Sequence, residues 1–195
     1  SDALTINNSW GEMYTSVAYD SKNEKLLSVR QQSNSNQVFM DAYDPISNTW
    51  ETRTSFNAPN TYGNMDMAYD SESEKIILCY FNNNLYRYSY DYETDSWETL
   101  EQGGISLHAE SDMAYDIESD RMIYVRWIGS STNLQTVSYD YNSDSYESKS
   151  SLDFSLSIDD IAVTYDSHND RVLLAILKSD YVYFSTYDYN SDTWV

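Results

Sequence analysis

Carboxylates or amides alternate in "DYETD" from Asp91 and in "DYNSD" from Asp140 and again from Asp188. Such a row could face a hard cation such as calcium. The corresponding "DPISN" at Asp44 to Asn48 spoils the alternation. A helix-flanked calcium loop also needs Gly at its sixth position and Glu at its twelfth, and neither is present. The same residues offer a second, local chemistry, because an aspartate can fold a turn by accepting hydrogen bonds from the backbone just ahead of it. The turn is the reading favoured here; no cofactor is assigned, with calcium as the alternative.

Other site chemistries have little to work with. The chain has two histidines, His108 and His168, and His168 fills a turn position taken elsewhere by Lys22, Glu72 and Glu118. The single cysteine, Cys79, lies in the apolar run "KIILCYF", so an intramolecular disulfide is excluded and a small core residue is expected. With 32 acidic residues against 11 basic ones, coincidental carboxylate pairs are unavoidable and none is selected as an acid–base couple. No catalytic residue is therefore assigned. The net charge of −21 opposes nucleic acid and anionic lipid, and favours basic partners, cations or solubility in salt. No apolar run reaches the ~18 residues of a transmembrane segment, and "SDALTINNSW" lacks the regions of a signal peptide. "NNS" at Asn7 is a glycosylation sequon.

The elements that must position these residues come from a repeat. "AYD" or "TYD" occurs at Tyr19, Tyr69, Tyr115 and Tyr165, at intervals of 50, 46 and 50 residues. A second tyrosine–aspartate pair falls between them, at Tyr43, Tyr90, Tyr139 and Tyr187. Five residues after each first aspartate stands a cation, Lys25, Lys75, Arg121 or Arg171, and an apolar run follows at once. The small polar residues between them predict a tight hairpin turn. "KIILCYF", "RMIYVRWI" and "RVLLAIL" read as buried strands, "NLYRYSYD" and "YVYFSTYD" as third strands, and "TWETRTS" and "SWETLEQ" as fourth strands. No stretch sustains a helical period. Four antiparallel strands every 46 to 50 residues predict an all-β fold, a β-propeller of four-stranded blades.

Six residues lie between the second tyrosine and the last aromatic of each unit: Tyr43 and Trp50, Tyr90 and Trp97, Tyr139 and Tyr146, Tyr187 and Trp194. This spacing, over nearly the whole chain, resembles the kelch repeat. The Gly-Gly pair usual at the end of a kelch second strand is replaced by "RQQ", "FNN", "GSS" and "KSD", so the resemblance is to a divergent member. It implies blades at 16–60, 61–108, 109–155 and 156–195, with 1–15, around Trp10, as the terminal strand of a preceding or incomplete blade. Kelch rings usually hold six or seven blades. Further blades, a closed four-bladed ring and self-association of copies all remain open.

In a meander of this kind the two tyrosine–aspartate turns of a blade share one end, and the second turns and interblade links share the other. The irregular end carries the candidate binding groups Phe56, Tyr62, Phe81, His108, Trp127 and Phe154, with Asp66 and Asp112 at the channel mouth. The expected function is a non-enzymatic module that binds a protein or glycan through that end, extracellular or at the cell surface, with a cytoplasmic adaptor as the other possibility. A carbohydrate-active propeller enzyme and a structural subunit pairing through blade edges are the competing readings.

Overall fold

The computed structural model describes residues 13–32, 34–61, 63–82, 84–100, 110–127, 133–154 and 157–195, so the strand expected around Trp10 lies outside the described residues. Blade 1 contains β1 (Met13–Asp20), β2 (Lys25–Gln32), β3 (Gln37–Asp44) and β4 (Thr49–Thr52), with the short β5 (Phe56–Asn57) also pairing β3. Blade 2 is β6 (Asn64–Asp70), β7 (Lys75–Asn82), β8 (Asn84–Asp91) and β9 (Ser96–Thr99). Blade 3 is β10 (Ser111–Asp116), β11 (Arg121–Trp127), β12 (Asn133–Asp140) and β13 (Ser145–Asp153). Blade 4 is β14 (Asp160–Asp166), β15 (Arg171–Lys178), β16 (Tyr181–Asp188) and β17 (Thr193–Trp194). Each blade is an antiparallel meander, and the fold is the all-β propeller that the repeat predicts. The chain forms two compact units, residues 1–106 with the first two blades and 107–195 with the last two. Among the described residues the first strand is β1, which spans residue 16, where blade 1 is expected to begin.

The strand register sorts each blade into two faces. One bears the stacked Tyr–Trp pair, as in blade 2, where Tyr90 lies opposite Trp97 and Ile76 opposite Tyr90. The other, plain face carries the alternate residues. In the first unit the Tyr–Trp face of blade 2, with Ile76, Leu78, Tyr80 and Tyr88, packs on the plain face of blade 1, with Leu27, Val29, Val38 and Met40. In the second unit Val172, Leu174, Ile176 and Tyr187 of blade 4 pack on Ile123, Val125 and Leu134 of blade 3.

The corner geometry explains the repeated tyrosine and aspartate. Each pair closes a strand, and the aspartate Oδ1 accepts the N–H groups of the following turn. At the end of β6, for example, Asp70 takes Glu72 at 3.0 Å and Ser73 at 3.1 Å. The fourth turn residue has φ between 46° and 58° at all eight corners, a conformation that disfavours most side chains but is tolerated by Asp and Asn. At six corners the tyrosine hydroxyl, five residues upstream, donates to that Asp or Asn at 2.7–2.9 Å. The cation opening each second strand pairs with the aspartate ending the third. Lys25 reaches Asp44 at 3.2 Å, Arg121 reaches Asp140 and Arg171 reaches Asp188 at 3.1 Å, and Lys75 contacts Asp91. Partly exposed pairs of this kind are screened by solvent and contribute little each.

Two corners place a glutamate at the left-handed position, Glu24 (φ 55°) and Glu74 (φ 58°). Glu24→Asn should therefore stabilise the protein by about 0.5–1 kcal/mol in urea denaturation, since Asn tolerates this conformation better than Glu.

Neighbouring blades are joined by a clamp that the spacing of the repeat encodes. In the first unit the backbone N–H of Thr54, just past β4, donates to Asp95 at 3.0 Å, and its carbonyl accepts the indole N–H of Trp97 at 2.8 Å. In the second unit the N–H of Ser150 donates to Asp192 at 2.8 Å, and its carbonyl accepts from Trp194 at 2.9 Å. The residue before each gripped position is a cation lying over a corner tyrosine of the next blade, Arg53 over Tyr92 at 4.4 Å and Lys149 over Tyr189 at 4.5 Å.

Candidate functional site

The corner carboxylates hold protein groups where a cation would sit. Asp44 Oδ1 accepts Ile46 and Ser47, and its Oδ2 meets Lys25. The Ile46 N–H, with smaller help from Ser47 and Lys25, pulls this carboxyl down to about 2. Lys75 holds Asp91 below the usual carboxylate range, and the Ser191 side chain, with Arg171, does the same for Asp188. Among the described residues no group of three or more His, Cys, Asp or Glu side chains could hold a metal ion. Chelation should leave the melting temperature unchanged within about 1 °C; a fall of several degrees on EDTA treatment, restored by calcium, would contradict this turn chemistry.

A cavity of about 250 Å³ opens at the corner end of the first unit, lined by Lys25, Ala42, Asp44, Thr49, Glu51 and Tyr92. Its polar groups are already engaged with one another. Lys25 pairs with Asp44, and Glu51 accepts from Tyr92 Oη at 2.9 Å and from Arg53 at 3.2 Å.

The residues expected at the irregular end are distributed over several environments. Phe56 is half-buried, with ring centroids 4.3 Å from Tyr88 and 4.7 Å from Trp97. Phe81 is buried. Trp127 and Phe154 are half-buried against the core between blades 3 and 4. Asp66 is buried in a cross-strand row with Cys79 and Arg87, and burial, then the Asp66 charge, pushes the thiol up to about 12. Asp112 Oδ2 accepts the N–H of Val163 at 2.6 Å and its Oδ1 that of Met113 at 2.8 Å, while burial raises its carboxyl above the usual range. Tyr62 and His108 lie outside the described residues. Gly63, one of the link glycines, is set by packing, because a Cβ there would lie 2.5 Å from the Phe81 carbonyl oxygen.

Among the described residues, the half-buried Phe154 joins two exposed aromatics at that end. The Phe154 ring meets Tyr183 edge-on at 5.2 Å, and Tyr183 lies 6.5 Å from Tyr181. Tyr181 is 67% exposed and Tyr183 38%. Lys178 stands across the Ser179–Asp180 turn from Tyr181 on the same face, and makes no ion pair among the described residues. On the outer side of β16, β17 pairs with Tyr187 and Asp188, and Val195 and Thr186 exchange backbone hydrogen bonds at 2.8 Å. The run "YVYFSTYD" matches "NLYRYSYD" in pattern, so sequence alone offers no sign that Tyr181 and Tyr183 would be uncovered.

No family of known proteins and no curated protein matches the sequence. Solved structures do resemble it in fold. An Aleuria aurantia lectin in complex with Fucalpha1-6GlcNAc matches 96% of this chain at 12% identity and a TM-score of 0.71. SapL1 lectin in complex with alpha methyl fucoside matches 94% at 14% identity and a TM-score of 0.64. TolB from Acinetobacter baumannii matches 94% at 18% identity and a TM-score of 0.57. This chain spans 62%, 62% and 42% of the length of those three chains, respectively. At such identities the likeness establishes the β-propeller fold.

Proposed function

We propose that this protein is a non-enzymatic binding module that takes a carbohydrate ligand on the ladder Phe154–Tyr183–Tyr181. The observation that carries the reading is this run of aromatic rings at the irregular end, in which Tyr181 and Tyr183 are exposed and Lys178 stands opposite Tyr181 in the strand register. Aromatic faces supply apolar area at low entropic cost while hydroxyls and a cation fix orientation, a combination suited to the mixed polarity of a sugar ring. The fold shared with fucose-complexed lectins supports the choice of ligand class. A glycan array probed with wild type and with Tyr181→Ala/Tyr183→Ala tests it. Wild type is expected to retain a defined set of glycans and the double variant to lose them by tenfold or more. Equal retention by both proteins would contradict the reading.

A protein partner at the irregular end is the second reading, favoured by the half-buried Trp127 near Phe154. A carbohydrate-active enzyme is separated from both by recovering bound glycans, which a binding module returns uncleaved. We also propose that the unit is a divergent kelch repeat, because its Tyr–Trp pairs stack at centroid distances of 4.9–5.1 Å where the spacing matches kelch blades. The sequon and the acidic surface support a place outside the cell or at its surface.

A further inference from the structure

Two blade faces of the kind that pack together inside the chain are left exposed. On the plain face of blade 4, Leu173 is 36%, Leu177 40%, Val182 52% and Phe184 80% exposed. The register positions they occupy are buried on the plain faces of blades 1 and 3, at Leu27, Val38, Ile123 and Leu134 among others. On the Tyr–Trp face of blade 1, Val17 is 57% and Tyr19 52% exposed. This face repeats the elements used at the internal junctions. Tyr43 and Trp50 stack at 5.0 Å, against 4.9 Å in blade 2 and 5.1 Å in blade 4, and Tyr19, Leu26, Tyr43 and Trp50 occupy the positions of Tyr69, Ile76, Tyr90 and Trp97.

We propose that these two faces are the halves of one heterologous junction, the Tyr–Trp face of blade 1 in one copy of the chain seating on the plain face of blade 4 in another. The argument is continuity with an interface the chain already forms twice, in which a Tyr–Trp face always meets a plain face and never its own kind. Arg30 on the first face is no obstacle, because Arg126 at the equivalent position of blade 3 is only 7% exposed. Pro45 stands where Tyr92 and Tyr189 receive their cations, so the apolar rows, not a stacked cation, hold this junction. The formal charge of −21 on each copy opposes association, so the junction strengthens with ionic strength. It is independent of the ligand site, since Tyr181 and Tyr183 point to the opposite face of β16 from Val182 and Phe184.

A heterologous junction makes a prediction that a self-paired one does not. Sedimentation velocity in 0.5 M sodium chloride, over a range of protein concentrations, should show wild type populating species heavier than the 22.6 kDa chain. Phe184→Glu and Val17→Glu change exposed side chains on opposite halves; each alone should stay monomeric, with self-association weakened at least tenfold. Their mixture should form a one-to-one pair, because each variant keeps the half that the other has lost. Val182→Lys serves as a second plain-face variant should Phe184→Glu alter the melting curve. A wild type that stays monomeric at all concentrations, variants that associate as wild type does, or a mixture that remains monomeric would each overturn the proposal.

Discussion

Trp97→Ala should lower the free energy of unfolding by about 3 kcal/mol, whereas Trp50→Ala, at the equivalent position of blade 1, should cost under about 1.5 kcal/mol. The two tryptophans have the same spacing to their tyrosines and the same half-buried status, so sequence alone makes them equal. Their surroundings differ. Trp97 packs on Tyr90 at 4.9 Å and Phe56 at 4.7 Å, and its indole donates to the Thr54 carbonyl. Removing it opens a hole in the core between blades 1 and 2 and leaves that carbonyl without its donor. Trp50 stacks on Tyr43 alone, and among the described residues it grips no backbone group. Urea denaturation of the two variants checks the difference. Losses equal within about 0.5 kcal/mol would show that the clamp adds nothing to the stacked pair.

Stability should pass through a maximum on acidification. Asp44, Asp91 and Asp188 release their protons more readily in the folded protein than the ~3.9 of an unfolded aspartate. Groups with depressed values contribute stability that is present above their unfolded value and lost as pH falls through the folded one. Burial acts in the opposite direction on Asp112, Asp116 and Glu110, whose carboxyls are raised, so the folded state gains on the unfolded one as pH falls from neutrality through their range. Acidification also relieves the repulsion among a net −21 charges. The melting temperature should thus rise from pH 7 to about pH 5, then fall steeply between about pH 4 and pH 2 as the corner aspartates protonate and let go of their turns. Calorimetry across this range checks the sign. A monotonic fall from pH 7 would mean that the buried carboxylates and the acidic surface carry no penalty at neutrality.

The repeat made the architecture legible because each corner is a local device. Tyr, Asp, a short polar turn and a cation lie within seven residues, from Tyr69 to Lys75 for instance, and their hydrogen bonds close within the same corner or across one strand pair. The alternation of apolar strands and polar corners carried the rest of the blade. The clamp was half visible, since the tryptophan spacing stood out while its target, Thr54 or Ser150, is read through its backbone and leaves no side-chain pattern. At the irregular end the burial of individual residues was not legible. Phe56 and Phe81 looked like contact groups because they follow strands near polar links, yet the pairing of β5 with β3 turns Phe56 onto Tyr88 and Trp97. Tyr181 and Tyr183 were hidden for the converse reason. Their exposure is set by what packs around β16 and not by side-chain type, since the buried Tyr88 and Tyr90 stand in a strand of the same pattern.

The division of labour between the two ends of a blade, architecture at the corners and binding at the irregular end, is tested most directly by a crystal of the protein soaked with a glycan that wild type retains on the array. Ordered sugar is predicted on Tyr181 and Tyr183 beside Phe154, with Lys178 in reach of its hydroxyls. Sugar seated instead in the corner cavity among Lys25, Asp44, Glu51 and Tyr92, with the aromatic ladder bare, would contradict the account.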